Sequence, residues 1–278
     1  MTKPNTTKPM RVIEETPEYW RVLFDYPPFN IVDADVFQAL QDLLVRMETT
    51  ETLRVVVFES ALADFYLSHF DLTGRIGNIM SAIGPTGLPI LMDTFVRLTK
   101  APVVSLARIR GCVRGVSSEF VLACDMRFAS RENTKLGHPE LGVGLHPGGG
   151  GTERLPYLVG RGRALEIVLS ANDFDGDTAE RYGYVNRSLP DGELDAFVES
   201  LATRIASFDK RAISETKRFV DVASLPPDYE IAPEWDVCLA SIMRPAAQER
   251  IKKLMERGFH KPGDVEERLG YHVGRLGR

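Results

Sequence analysis

Between positions 34 and 47 the apolar residues Val36, Leu40, Leu43, Leu44 and Met47 recur at the spacing of one helical face, which predicts a helix. Residues 53–58 contain the β-branched run Val55, Val56 and Val57, the signature of a buried strand. Residues 20–24 read as a short strand before both. Residues 61–72 read as a short strand running into a loop. Residues 88–98 read as a helix after the Gly84-Pro85-Thr86-Gly87 break, and 102–107 as another apolar strand. A buried helix is predicted over 117–124, a strand over 126–129, a glycine-rich loop over 142–151, short helices near 154–158 and 164–169, and a strand over 185–189. Beyond that, Leu194, Phe197, Val198, Leu201 and Ile205 follow a helical rhythm. Residues 212–222 and 246–257 continue it on either side of Pro226-Pro227. Strands and helices thus alternate to about residue 190 and helices follow, the pattern of an α/β core with a helical tail. There is no fixed-period repeat.

Composition adds limits. The 278 residues suit one large domain, or a domain of about 200 residues with an appendage. A hydrophobic share of 44% and a charged share of 26% are ordinary for a globular protein. The net charge of −5 argues against a nucleic-acid partner. Cys112, Cys124 and Cys238 are odd in number and form no CxxC pair, so buried thiols in a reducing compartment are expected rather than disulfides or zinc. Residues 1–10 are polar with two prolines and are expected to be a disordered tail without a secretory or transit signal. No apolar run approaches the roughly 18 residues of a membrane span. A cytoplasmic protein without a membrane partner is the expectation.

Several motifs fail on inspection. Gly148 to Gly151 lacks the lysine of a phosphate loop, and Gly142-Val143-Gly144-Leu145-His146-Pro147 ends in proline where a dinucleotide fingerprint needs glycine. Weak anion affinity at a following helix N-terminus stays open. Gly115-Val116-Ser117-Ser118-Glu119 resembles a nucleophile elbow but has Glu119 in place of the last glycine. His69, His138, His146, His260 and His272 lie far from HExxH spacing and read as polar loop or interface residues rather than metal ligands.

What remains is a pair of acids. Glu119 opens the apolar helix Phe120-Val121-Leu122-Ala123-Cys124, where desolvation would raise its pKa. Glu140 follows Pro139 in the glycine-rich region. Two such carboxyls meeting in a cleft could divide acid and base roles. A helix-capping Glu119 and a loop salt bridge at Glu140 are the alternative.

The segment from Glu119 through Ala123-Cys124-Asp125-Met126-Arg127-Phe128-Ala129-Ser130, then Gly137-His138-Pro139-Glu140 and Gly148 to Thr152, resembles the crotonase (enoyl-CoA hydratase/isomerase) superfamily. So do Arg154-Leu155-Pro156, Val159-Gly160 and Gly183-Tyr184-Val185-Asn186, in the same order. The resemblance implies a spiral of strand-strand-helix units over residues 11–205. It also implies a C-terminal helical oligomerisation region over 206–278, assembled as a homotrimer or dimer of trimers.

It further implies an oxyanion hole made by the backbone N–H groups of Phe70 and Val116, aimed at the thioester oxygen of an acyl-CoA. Glu119 and Glu140 would hold one water and hydrate a 2-enoyl-CoA. Ser68, His69, Asp71, Leu72 and Gly115 would contact substrate or coenzyme A, Ser68 near the adenine. No cofactor is implied beyond coenzyme A within the substrate. Arg250, Lys252 and Lys253 are candidates for its phosphates. An isomerase, a C–C hydrolase, a decarboxylase or a non-catalytic acyl-CoA binder are the alternatives on this scaffold.

The sequence departs from the family pattern at four places. Val116 replaces glycine-like smallness and cannot readily take positive φ. Arg114 brings a charge near the site, either as a surface residue or to meet a substrate carboxylate or phosphate. His69 and Phe70 are bulky for the first oxyanion loop. The two glutamates stand 21 positions apart (119 to 140), one more than the family pattern, with the extra residue expected in a loop near 132–135.

Overall fold

The computed structural model describes residues 8–73 and 81–277. One sheet organises the chain. Strand β1 (Met10–Thr16) pairs antiparallel with β2 (Tyr19–Phe24). Then β2, β3 (Val55–Ser60), β4 (Val104–Arg114) and β5 (Met126–Gly137) follow in parallel order. Parallel neighbours need crossovers, which helices α1 (Ala34–Thr49), α2 (Ile90–Lys100) and α3 (Val116–Ala123) provide in turn. Asp33 caps α1 by accepting the N–H groups of Asp35 and Val36.

The run at 55–57 is apolar throughout because both faces of β3 are covered. Val56 and Phe58 join the main core with Phe24 and Phe120, while Val55 and Val57 face Leu194, Val198 and Ala202 on the other side. The latter belong to α7 (Asp191–Ala206), the first long helix of the tail. Between β5 and α7 come α4 (Gly151–Val159), α5 (Arg161–Ser170), the short β6 (Phe174–Asp175), α6 (Gly176–Tyr182) and β7 (Arg187–Leu189). The tail continues with α8 (Lys210–Ser224), α9 (Asp228–Ile242), α10 (Pro245–Arg257), α11 (Asp264–Glu267) and α12 (Leu269–Val273).

The α/β core and helical tail are as the pattern predicts, with local differences. The expected strand over 61–72 is irregular, with only single bridges from Phe65 to Cys112 and from Val32 to Phe70. Much of the tail expected over 1–10 lies outside the described residues, and Met10 opens β1 instead of ending a disordered segment. Strands β4 and β5 run well past the expected ends at 107 and 129. Their second halves mix polar and apolar residues, and a register shift separates Ile109 from Gly111. Helix α9 begins directly after Pro226-Pro227, where the sequence suggests only a break. No helix of the described residues is long and apolar enough to cross a membrane.

A second, smaller core positions the site. Val143 and Leu145 pack with Ala247, Leu254, Phe259, Val265, Leu269 and Val273. The end of the chain therefore lies against the short 3-10 turn Glu140–Val143.

The irregular stretch after β3 is held by Asn30, which is fully buried at φ 52°. Its Nδ2 donates to Tyr66 O (2.7 Å) and Ser60 Oγ (2.9 Å), and its Oδ1 accepts from Tyr26 N (2.6 Å). Replacing Asn30 by alanine strands these buried groups and leaves an unfavourable φ. The expected loss is about 2–3 kcal/mol of unfolding free energy, measured by urea denaturation. A loss within error of zero would show that the loop does not depend on this side chain.

Candidate active site

Strand β4 turns into α3 through Gly115, whose φ of 59° and ψ of −126° suit glycine alone. A Cβ there would also lie 2.7 Å from Glu140 Oε1. The positive φ that Val116 could not adopt is thus supplied one residue earlier. Val116 stands as the first residue of α3, where a helix N–H has no intrahelical acceptor. Glu119 follows in the first turn and is 2% exposed.

Glu119 does not cap its own helix. Its Oε1 accepts from Gly149 N (2.7 Å) and Gly151 N (3.2 Å). A Cβ on Gly149 would sit 2.6 Å from Glu119 Oε2 and 2.8 Å from Phe95, so the glycine run lets backbone close on the carboxylate. The intervening amides go elsewhere: Gly150 N and Thr152 N (3.0 Å) donate to Glu234 on α9, as does the Thr152 hydroxyl. Arg154 donates to Gly149 O at 3.0 Å. Two carboxylates thus share four successive amides at the start of α4. Glu234 carries no signal in the sequence, being one of four acids on a helix that the pattern does not predict.

Glu140 opens the 3-10 turn after Pro139. It forms no ion pair with lysine or arginine among the described residues. The nearest basic group is His138 Nδ1, 3.9 Å from its Oε2. His138 is fully buried, and burial pulls its pKa down to about 4, so it is neutral. It is buried instead of standing on a loop surface, and it belongs to no cluster of His, Cys, Asp or Glu able to hold a metal ion among the described residues.

The electrostatics set this region apart. Burial first, then the like charge of Glu140, pushes the Glu119 carboxyl well above the usual carboxylate range. Burial, with the charge of Glu234 added, raises Glu140. Burial and the Glu119 charge raise Glu234 to about 7, and burial and Glu234 raise Glu153 to about 8. Four carboxyls therefore have raised proton affinity, and three of them, Glu119, Glu153 and Glu234, act on the one buried guanidinium of Arg154. The proton affinity of Glu119 depends on the charge of Glu140, so the two do not titrate independently.

Both line one cavity with an empty volume of about 790 Å³, counting its open mouth. Of the expected contacts, His69, Phe70, Leu72, Gly115 and Val116 also line it. The loop carrying Phe70 is docked on Val32, which donates to His69 O (3.1 Å) and accepts from Asp71 N (3.0 Å). Bridging through those two groups turns the N–H of Phe70 to the opposite side.

Ser68 and Asp71 are not part of the cavity wall. Ser68 N donates to Asn30 O (2.9 Å), and Asp71 Oδ1 accepts from Thr73 N (2.8 Å) and Oγ1 (2.5 Å), which holds the loop. Arg114 is neither a surface residue nor aimed at a ligand. It is 2% exposed and bound by Asp173 at 2.6 and 2.9 Å. Arg250 donates to Gly142 O and Lys253 pairs with Glu249; with Lys252 they stand outside the cavity wall. All three cysteines are free, but Cys238 is only half-buried and lines the cavity beside Gly148. The rest of the wall is largely apolar, including Leu91, Val143, Trp235, Ile242 and Phe259.

With this geometry in view, known proteins supply the context. The sequence profile of the enoyl-CoA hydratase/isomerase family matches residues 20–232. The chain is 29% identical over 211 residues to the crotonyl-CoA hydratase of Syntrophomonas wolfei, covering 74% of this chain and 79% of that protein. It is 28% identical over 195 residues to the short-chain-enoyl-CoA hydratase of Clostridium acetobutylicum, covering 69% and 73%. A solved Streptomyces avermitilis protein, provisionally named an enoyl-CoA hydratase, superposes with a TM-score of 0.92 at 38% identity over 99% of both chains. Pseudomonas aeruginosa DspI superposes at 0.69 with 26% identity, over 92% of this chain and 99% of its own. The extent of the profile match, with a shared fold over nearly the whole length, means that this chain belongs to the enoyl-CoA hydratase/isomerase family of the crotonase superfamily.

Proposed function

We propose that the protein hydrates a 2-enoyl-CoA thioester reversibly, with Glu119 and Glu140 as its acid/base pair. The observation that carries this reading is two carboxyls of raised proton affinity, Glu119 buried and Glu140 partly buried, in one apolar cavity next to the start of α3. Addition of water needs two proton transfers. One carboxylate takes a proton from water as the water oxygen bonds to Cβ, and the other carboxyl gives its proton to Cα. A pair that shares a proton near neutral pH is suited to both. The electron pair of the double bond passes through the enolate, whose oxygen would be met by the N–H groups of Phe70 and Val116 and by the N-terminal end of α3. The reverse sequence dehydrates a 3-hydroxyacyl thioester.

The acyl group is inferred to be apolar and uncharged. No lysine or arginine lines the cavity among the described residues, and Arg114 is committed to Asp173. Assembly as a homotrimer or dimer of trimers fits the apolar residues left exposed around α8, such as Phe219, Val222, Tyr157 and Tyr229. Three free cysteines fit a cytoplasmic location.

In a crotonyl-CoA assay that follows loss of the enoyl thioester absorbance, Glu119→Gln and Glu140→Gln should each lower kcat by about 10²–10⁴. Near-native hydration by both variants would sink the reading. A double-bond shift without incorporation of a water oxygen would point to the isomerase alternative. The rate should be bell-shaped in pH, since it needs one proton on the pair. It falls at low pH when both carboxyls are protonated and at high pH when neither is. Because both proton affinities are raised, the maximum lies well above the 4.5 of an ordinary glutamate. A maximum at or below that value would contradict the assignment. Light scattering should give three or six times the chain mass of 31.0 kDa, and a monomer would exclude the assembly.

A further inference from the structure

His69 and Arg114, two of the departures from the family pattern, each stand next to a proposed oxyanion donor: His69 before Phe70, and Arg114 two residues before Val116. Both reach the same residue of the C-terminal segment. His69 Nε2 lies 2.8 Å from Glu266 Oε2, and Arg114 Nη1 donates to the Glu266 carbonyl at 2.5 Å. Arg114 Nη2 also donates to Glu267 O at 3.0 Å. The Glu266 side chain is fully buried, and its second oxygen accepts from His260 N at 2.7 Å.

These contacts form a rigid unit. The His69 ring stacks on Phe259 at 4.1 Å and on His260 at 5.0 Å between centroids. His260 Nδ1 in turn lies 3.3 Å from Asp71 Oδ1, on the far side of Phe70. His69 Nδ1 faces Phe70 O at 3.1 Å, so both ring nitrogens lie against oxygen atoms. Burial works against a charged Glu266, but His69 and the His260 amide outweigh it and hold the carboxyl below its usual range. A buried carboxylate with this many partners costs a great deal to strip of any one of them.

We propose that Glu266 is a positioning residue for both backbone donors, its carboxylate fixing the Phe70 loop through His69 and its main-chain carbonyl holding the Gly115 turn through Arg114. The proposal rests on the oxyanion reading above. It means that the donors take up their geometry only when the end of the chain is docked. The same segment supplies Phe259, Leu269 and Val273 to the cavity wall, so the space for the acyl group and the field at its carbonyl are set together.

The test uses butyryl-CoA, isotope-labelled at the thioester carbonyl. It is saturated and cannot be hydrated. Infrared difference spectra of the bound ester read the donors directly, because two N–H groups lower the carbonyl stretching frequency. In the native protein the frequency should fall below its value in water. Glu266→Ala removes the His69 contact and keeps the main-chain carbonyl that Arg114 uses, so about half of that lowering should remain, with kcat for crotonyl-CoA down about 10²-fold, the worth of one such donor, and KM changed only a few-fold. Glu266→Gln, which keeps an oxygen for His69, should retain most of the lowering.

A folded Glu266→Ala with the native frequency would overturn the proposal and leave the oxyanion reading in place. No lowering in the native protein would overturn both. An intact infrared pattern without crotonyl-CoA hydration would instead remove only the reaction assigned. If Glu266→Ala does not fold, His69→Ala removes the other end of the same contact from the cavity wall. It should show the same partial loss, and a native frequency there would equally overturn the proposal.

Discussion

The carboxyl of Glu119 can be held in the protein interior because amide N–H groups of Gly149 and Gly151 reach it. A buried carboxyl without donors would be too costly to keep. Satisfying this one shapes much of the surrounding fold. The approach needs a stretch without Cβ atoms, hence the glycine run. The run ends at the start of α4, where unpaired amides are available. The two amides that Glu119 does not take go to Glu234, so α9 is drawn into the same arrangement. With Arg154 on Gly149 O, three helices and one loop are tied around a single acid.

The cost appears as raised proton affinity. Each carboxyl in the group is disfavoured in its charged form by burial and by its neighbours, and the buried guanidinium of Arg154 stands against Glu119, Glu153 and Glu234 together. For a purely structural network this would be a poor arrangement. For a site that must give and take a proton near neutral pH it is suitable. The charge pattern and the proposed chemistry therefore support each other.

A second dependence runs through the end of the chain. The hydrophobic contacts of Phe259, Leu269 and Val273 close the cavity over the Glu140 turn, and the polar contacts of Glu266 bind the loops on either side of it. Apolar burial supplies the drive to dock the segment, and the directional hydrogen bonds of Glu266 supply its register.

By itself the sequence determined the elements whose period is local. The face of α1, the Val55–Val57 strand, the helix opening at Glu119 and the glycine run could be read because 3.6- and 2-residue periods and missing Cβ atoms are properties of neighbouring positions. It also marked Glu119 and Glu140, through their setting and the resemblance. What it left undecided depends on partners far along the chain. Whether 61–72 would be a strand rested on Asn30 taking the Tyr66 carbonyl. Whether Arg114 was a surface charge or a ligand contact rested on Asp173 and Glu266. Glu234 entered the site only because α9 packs against α4. Such choices are made by hydrogen bonds between residues tens to hundreds of positions apart, and no local pattern encodes them, so only the tertiary structure decided them.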